Sequence, residues 1–208
     1  MSWLTLPNVL TGLRFLLVPL IIILISRDEV EWQALGTFCF ILAALTDHFD
    51  GRIARRRRQV SQFGKFADPL ADKLLTLSVF AAIVMRREFS AVASYLVIWV
   101  AIIAVREIII TGLRIWAIRQ ETTVITSMWG KAKTTIQLIT IILTLVLLNF
   151  RQLTLRFPES VAFYPGDQVV TIIVHALIFI CMLITVISGV LYFHSSRFES
   201  PSKLKQFP

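Results

Sequence analysis

Apolar residues fall into six long runs separated by short polar breaks. The runs extend from Pro7 and Asn8 to about Ser26, from about Trp32 to Thr46, from near Gly64 to Met85, from about Ala91 to Ile118, from about Lys131 to Asn149, and from about Gln168 to Phe193. None alternates as a half-buried strand would, and each approaches the roughly 20 residues that a helix needs to cross a hydrocarbon core. The pattern predicts an all-α integral membrane protein, a six-transmembrane-helix bundle. Ahead of the first run, Met1 to Leu6 is short and amphipathic, with Trp3 suited to the headgroup layer, and predicts an interfacial segment. Pro69 is tolerable in the third helix only in or near its first turn. Residues 1–195 read as one transmembrane domain and 196–208 as a polar cytoplasmic tail.

Composition agrees with this reading. The 208 residues are 56% apolar, with a mean hydropathy of +0.75. Charged residues make up 16%, against about a quarter in soluble domains. Cys39 and Cys181 both lie in apolar runs and read as small buried residues, without support for a disulfide framework or a zinc site. The N-terminus lacks a basic n-region and a clear A-x-A site, so the first run is expected to be a retained helix. Orientation follows from the basic residues. With the links near 27–31, 86–90 and 150–167 outside, five of the 21 basic residues lie outside and 16 inside, both termini being cytoplasmic. The pair Arg86-Arg87 is the one outer feature against that orientation.

One polar stretch departs from the lipid-adapted pattern. It reads Asp47-His-Phe-Asp50-Gly51-Arg-Ile-Ala54-Arg55, then eight residues, then Gly64-Lys-Phe-Ala-Asp68-Pro-Leu-Ala-Asp72. Asp47 and Asp50 are three apart and Asp68 and Asp72 four apart, so each pair projects from one face of a helix. A basic and polar spacer between Gly51 and Gly64 turns the chain back and brings the four acids together. Like charges so close repel strongly where the dielectric is low, so some acids are protonated or a cation neutralises them. An all-oxygen donor set suits Mg²⁺, Mn²⁺ or Ca²⁺. Gly51, Ala54, Gly64 and Ala71 leave room for close helix approach or for a ligand against the backbone. His48 points away from the acidic face and reads as a bystander.

The pattern D-x2-D-G-x2-A-R-x8-G-x3-D-x3-D resembles the signature of the CDP-alcohol phosphotransferase family of integral-membrane lipid synthases, with all eight fixed positions present. Arg55 occupies the family's fixed arginine. Arg56, Arg57 and Arg58 read more simply as a topology signal and a contact for anionic headgroups. Arg14, inside the first helix, either snorkels to the interface or faces the active site. Arg106 and Arg114 lie eight apart on one face of the fourth helix with Glu107 beside them, and Lys131 and Lys133 open the fifth. These cations read either as snorkelling, positive-inside charge or as a pocket for a dianionic acceptor. Together with Leu6-Pro7-Asn8-Val-Leu-Thr11-Gly-Leu-Arg14, they are similar to the bacterial phosphatidylglycerophosphate synthase branch. This likeness extends from Leu6 to about Gln137.

The resemblance implies that sn-glycerol 3-phosphate attacks CDP-diacylglycerol, releasing CMP and leaving phosphatidylglycerol phosphate in the bacterial inner membrane. It implies two Mg²⁺ or Mn²⁺ ions on Asp47, Asp50, Asp68 and Asp72, with Asp72 also receiving the acceptor hydroxyl proton. CDP-diacylglycerol would lie against Asp47, Gly51, Ala54, Arg55, Gly64 and Asp68, and the acceptor phosphate against Arg106, Arg114, Lys131 and Lys133. The family also implies a homodimer and no nucleic-acid partner. Two alternatives remain open: another acceptor within the family (inositol phosphate, serine or phosphatidylglycerol), or a divalent-cation transporter using the same acids.

Overall fold

The computed structural model describes residues 6–57, 62–120, 128–159 and 164–195, with side chains described for 12–46, 70–113, 115–116, 120, 133–159 and 164–192. Six α-helices follow in order: α1 (Leu6–Ile25), α2 (Val30–Arg57), α3 (Gln62–Val84), α4 (Ala93–Arg119), α5 (Met128–Arg156) and α6 (Asp167–Ser195). A 3₁₀ turn, Arg87–Val92, precedes α4. Among the described residues there is no strand. The expected segment at Met1 to Leu6 lies outside the described residues except for Leu6, which opens α1, and the 196–208 tail lies outside them entirely.

Two boundaries correct the sequence reading. The α2 helix does not give way to a turn at Gly51 but continues through the arginine run to Arg57. One glycine costs a helix only about 1 kcal/mol, and the Ala and Arg residues after it are strong helix formers. The α5 helix passes its expected end at Asn149 and runs to Arg156. There the polar residues of its last turns take up partners: Arg151 reaches Asp167 at 2.8 Å, and the Thr154 hydroxyl donates to the Phe150 carbonyl.

Three of the six expected spans are borne out by length and apolar composition. Among the described residues, three helical stretches are long and apolar enough to cross a membrane: Arg87–Leu113, Lys133–Arg156 and Asp167–Tyr192. Over the described side chains α1 and α2 contribute the apolar stretches Gly12–Ile25 and Val30–Thr46, and α3 brings Asp72 and Lys73 into its first half. The described residues are therefore those of an all-helical membrane protein, with three apolar helices of spanning length among them.

Packing determines where the polar groups meet. The α1 helix lies against both α2 and α3, α4 against α3 and α6, and α5 against α2, α3 and α6. Ile21, Phe40, Phe80, Ile103, Leu145 and Ile178 fill the interior, one from each helix. Leu16, Phe38, Ile108 and Ile172 face outward, as a lipid-bathed surface requires. At Gly36 the α1–α2 approach is so close that an added Cβ would stand 2.9 Å from Leu24 Cβ and 3.0 Å from the Ile25 nitrogen. Gly36→Ala should therefore cost about 1–3 kcal/mol of stability by overpacking. Gly112→Ala, where nothing lies within 4 Å, should not. Thermal unfolding of both variants in detergent checks this, and equal midpoints would refute the close approach.

The turns after α1, α3 and α5 gather at one end of the bundle around Arg86. Its side chain is 3% exposed and donates to the Ile25 carbonyl at 2.7 Å, the Arg27 carbonyl at 3.0 Å and Glu88 at 2.5 Å. Glu88 also meets Arg151 at 3.3 Å, and Arg151 holds Asp167 in the first turn of α6. Tyr164 donates to Asp167 at 2.5 Å, and burial first, then this hydrogen bond, pushes its phenol up to about 12. Gly166, with φ +89°, makes the left-handed step into α6. Arg86 is thus packed into the fold rather than offered as a loop charge, whereas Arg87 beside it is exposed.

Candidate active site

At the opposite end, the last turns of α2 carry Asp47 and Asp50 and the first turns of α3 carry Asp68 and Asp72. The side chains of Asp47, Asp50 and Asp68 lie outside the described residues, as do those of His48, Ala54, Arg55, Arg114 and Lys131 and the surroundings of Gly51 and Gly64. Asp72 is described. Its side chain is 34% exposed, and one carboxylate oxygen stands 2.6 Å from Lys73 Nζ.

Behind Asp72 the bundle closes around a buried carboxylate. Glu107 of α4 is 2% exposed. Its Oε1 accepts from Lys133 Nζ, from Gln137 Nε2 at 3.1 Å and from Arg106 Nη1 at 3.3 Å. Its Oε2 lies 3.7 Å from Lys73 Nζ. Arg106 extends further, donating through Nη2 to Ser188 Oγ of α6 at 2.7 Å. Gly189 gives it passage, because a Cβ there would lie 3.0 Å from Arg106 Nε. Lys73, Arg106 and Lys133 against Glu107 and Asp72 leave this cluster with one net positive charge. A cationic cluster beside a partly exposed carboxylate can bind an anion and accept a proton next to it.

Of the expected site residues, Arg106 and Lys133 meet on Glu107, and Asp72 is linked to them through Lys73. Lys73, Gln137 and Ser188 were missed, and Glu107 was seen only as a neighbour of Arg106. A Glu inside an apolar helix is itself a signal, since an intramembrane carboxylate needs a buried partner. Arg14 is buried, not snorkelling, and lines a cleft of about 140 Å³ with Leu17 of α1 and Ala43 and Thr46 of α2. That position is one residue short of Asp47.

For a divalent ion, Asp72 offers a hard and accessible carboxylate, and its donor type fits Mg²⁺ or Mn²⁺. Among the described residues no three His, Cys, Asp or Glu side chains gather as a metal site. The three other acids of the expected set are not among those side chains.

Residues 4–191 match the model of the CDP-alcohol phosphatidyltransferase family. A protein of Rickettsia typhi is 30% identical over 192 residues, covering 92% of this chain and 97% of the relative. One of Cereibacter sphaeroides is 37% identical over 144 residues, covering 68% of this chain and 62% of that longer relative. One of Bacillus subtilis is 37% identical over 148 residues, covering 65% and 74%. Each of these relatives is named CDP-diacylglycerol-glycerol-3-phosphate 3-phosphatidyltransferase.

Proposed function

Because the chain belongs to the CDP-alcohol phosphatidyltransferase family, we propose that it transfers the phosphatidyl group of CDP-diacylglycerol to sn-glycerol 3-phosphate in phospholipid biosynthesis. The observation that carries this reading is the juxtaposition in the first half of α3. An accessible Asp72 carboxylate there adjoins a cationic cluster drawn from three helices.

In this reading the acceptor hydroxyl attacks the phosphorus that bears the diacylglycerol, the bond to CMP breaks, and Asp72 receives the hydroxyl proton. Asp47, Asp50, Asp68 and Asp72 would hold two Mg²⁺ or Mn²⁺ ions, which supply charge neutralisation to the diphosphate and to the departing CMP. Arg106, Lys133, Arg114 and Lys131 hold the acceptor phosphate, and Gly51, Ala54, Arg55 and Gly64 border the nucleotide. The acyl chains remain in the bilayer while the water-soluble acceptor enters from the Asp72 end. That end faces the cytoplasm of a bacterial inner membrane in the same proposal, supported by the excess of basic residues there. Six membrane-associated helices with both termini on that side, and a homodimer, belong to the proposal as well.

The test is CMP release by the purified chain in detergent, with CDP-diacylglycerol, Mg²⁺ or Mn²⁺, and separate acceptors. Metal-dependent release with glycerol 3-phosphate alone is expected. Release with inositol phosphate, serine or phosphatidylglycerol instead would keep the family and overturn the acceptor. Silence with every acceptor, in protein shown to be folded, would overturn the enzyme reading.

A further inference from the structure

Glu107 is too deeply buried to meet a substrate, yet it is the only group that touches side chains of all the cationic positions behind Asp72 in the described cluster. Lys73 comes from α3, Arg106 from α4 and Lys133 from α5, and their nitrogens all lie within 3.7 Å of its two oxygens. Three cations packed this closely would repel one another strongly in the low dielectric of a bundle interior. The carboxylate cancels part of that repulsion and fixes the direction of each donor. Gln137, bound at once to Glu107 and at 3.4 Å to Thr185, braces the same carboxylate from α5.

We infer that Glu107 is a positioning residue for the acceptor phosphate. It holds Lys133 and Arg106 at the spacing that receives the phosphate, and holds Lys73 in place beside Asp72. This inference rests on the acyl-lipid transferase reading above and assigns a role within it. The connection explains why an acidic residue stands among cations that would receive an anion: without it the cations spread apart, and their preorganisation is lost. It also gives Ser188 and Gly189 a part: Ser188 accepts from Arg106 Nη2, and Gly189 leaves room for that side chain against α6.

The inference is tested by steady-state CMP release from the full chain, varying glycerol 3-phosphate at saturating CDP-diacylglycerol and then the reverse. Glu107→Gln should raise KM for glycerol 3-phosphate about 10–100-fold, the loss of charge-assisted hydrogen bonds, and lower kcat. KM for CDP-diacylglycerol should stay at the wild-type value. Glu107→Asp, which keeps the charge, should recover part of the loss. Ser188→Ala, which loosens Arg106 without changing any charge, should shift the acceptor KM in the same direction by less, and it carries the test if Glu107→Gln does not fold. Equal increases in both KM values, or a loss of thermal stability with both KM values kept, would overturn the positioning role. A wild-type protein inactive with every acceptor would instead overturn the reaction on which it rests.

Discussion

Asp72→Asn should lower CMP release with glycerol 3-phosphate by about 10²–10⁴-fold, the usual contribution of a positioned proton acceptor. The amide keeps the size of the side chain and can still meet Lys73 through its oxygen, so packing around α3 should survive. What it cannot do is take a proton from the acceptor hydroxyl. Asp72 is suited to that task because it is the accessible member of the cluster, whereas Glu107 is enclosed by four donors and closed to substrate. Lys73 donates to one of its oxygens at 2.6 Å and fixes the orientation of the carboxylate. Measuring metal-dependent CDP-diacylglycerol binding alongside turnover separates the two roles proposed for this residue. Binding retained with turnover lost assigns Asp72 as the base, while loss of both assigns it to holding the metal ions. Turnover within twofold of wild type would remove Asp72 from the chemistry.

The local features of this architecture were legible in the sequence, and the long-range pairings were not. Six apolar runs gave six helices, because a helix satisfies its own backbone and each run needs only its own residues to form one. The acidic signature pointed to the ends of α2 and α3, because helical spacing is readable over three or four residues. The partners of Glu107 were beyond that range: Lys133 is 26 residues away, Gln137 is 30, and Lys73 arrives from another helix. Arg86 shows the same limit more sharply. Counted as a loop charge, it argued against the expected orientation, yet its nearest carbonyl partner lies 61 residues earlier, at the end of α1. The overrun of α5 has a similar cause, since Arg151 gains its partners only when the 3₁₀ turn and α6 are in place.

That pairing makes Arg86 the position where a single substitution should cost most in stability. Arg86→Met keeps much of the side chain's length and apolar stem but removes every donor. Glu88, with its side chain only 11% exposed, then loses its closest cation, and the Ile25 and Arg27 carbonyls lose the guanidinium that ties the end of α1 to the turn after α3. Breaking a buried ion pair from one side costs about 3–5 kcal/mol, because the remaining charge stays buried without its partner. Arg151, at 3.3 Å from Glu88, offsets part of this, so the lower half of that range is expected. Thermal unfolding in detergent should show a clear fall for Arg86→Met and a smaller one for Arg86→Met combined with Glu88→Leu, which removes both charges together. A double variant as unstable as the single one would mean that the carbonyl contacts, not the ion pair, hold this end. Chemistry should be spared, because Arg86 stands about 20 Å along the α3 direction from Asp72, at 1.5 Å per helical residue. An Arg86→Met protein that stays as stable as wild type would show that the three turns meet there without depending on the charge between them.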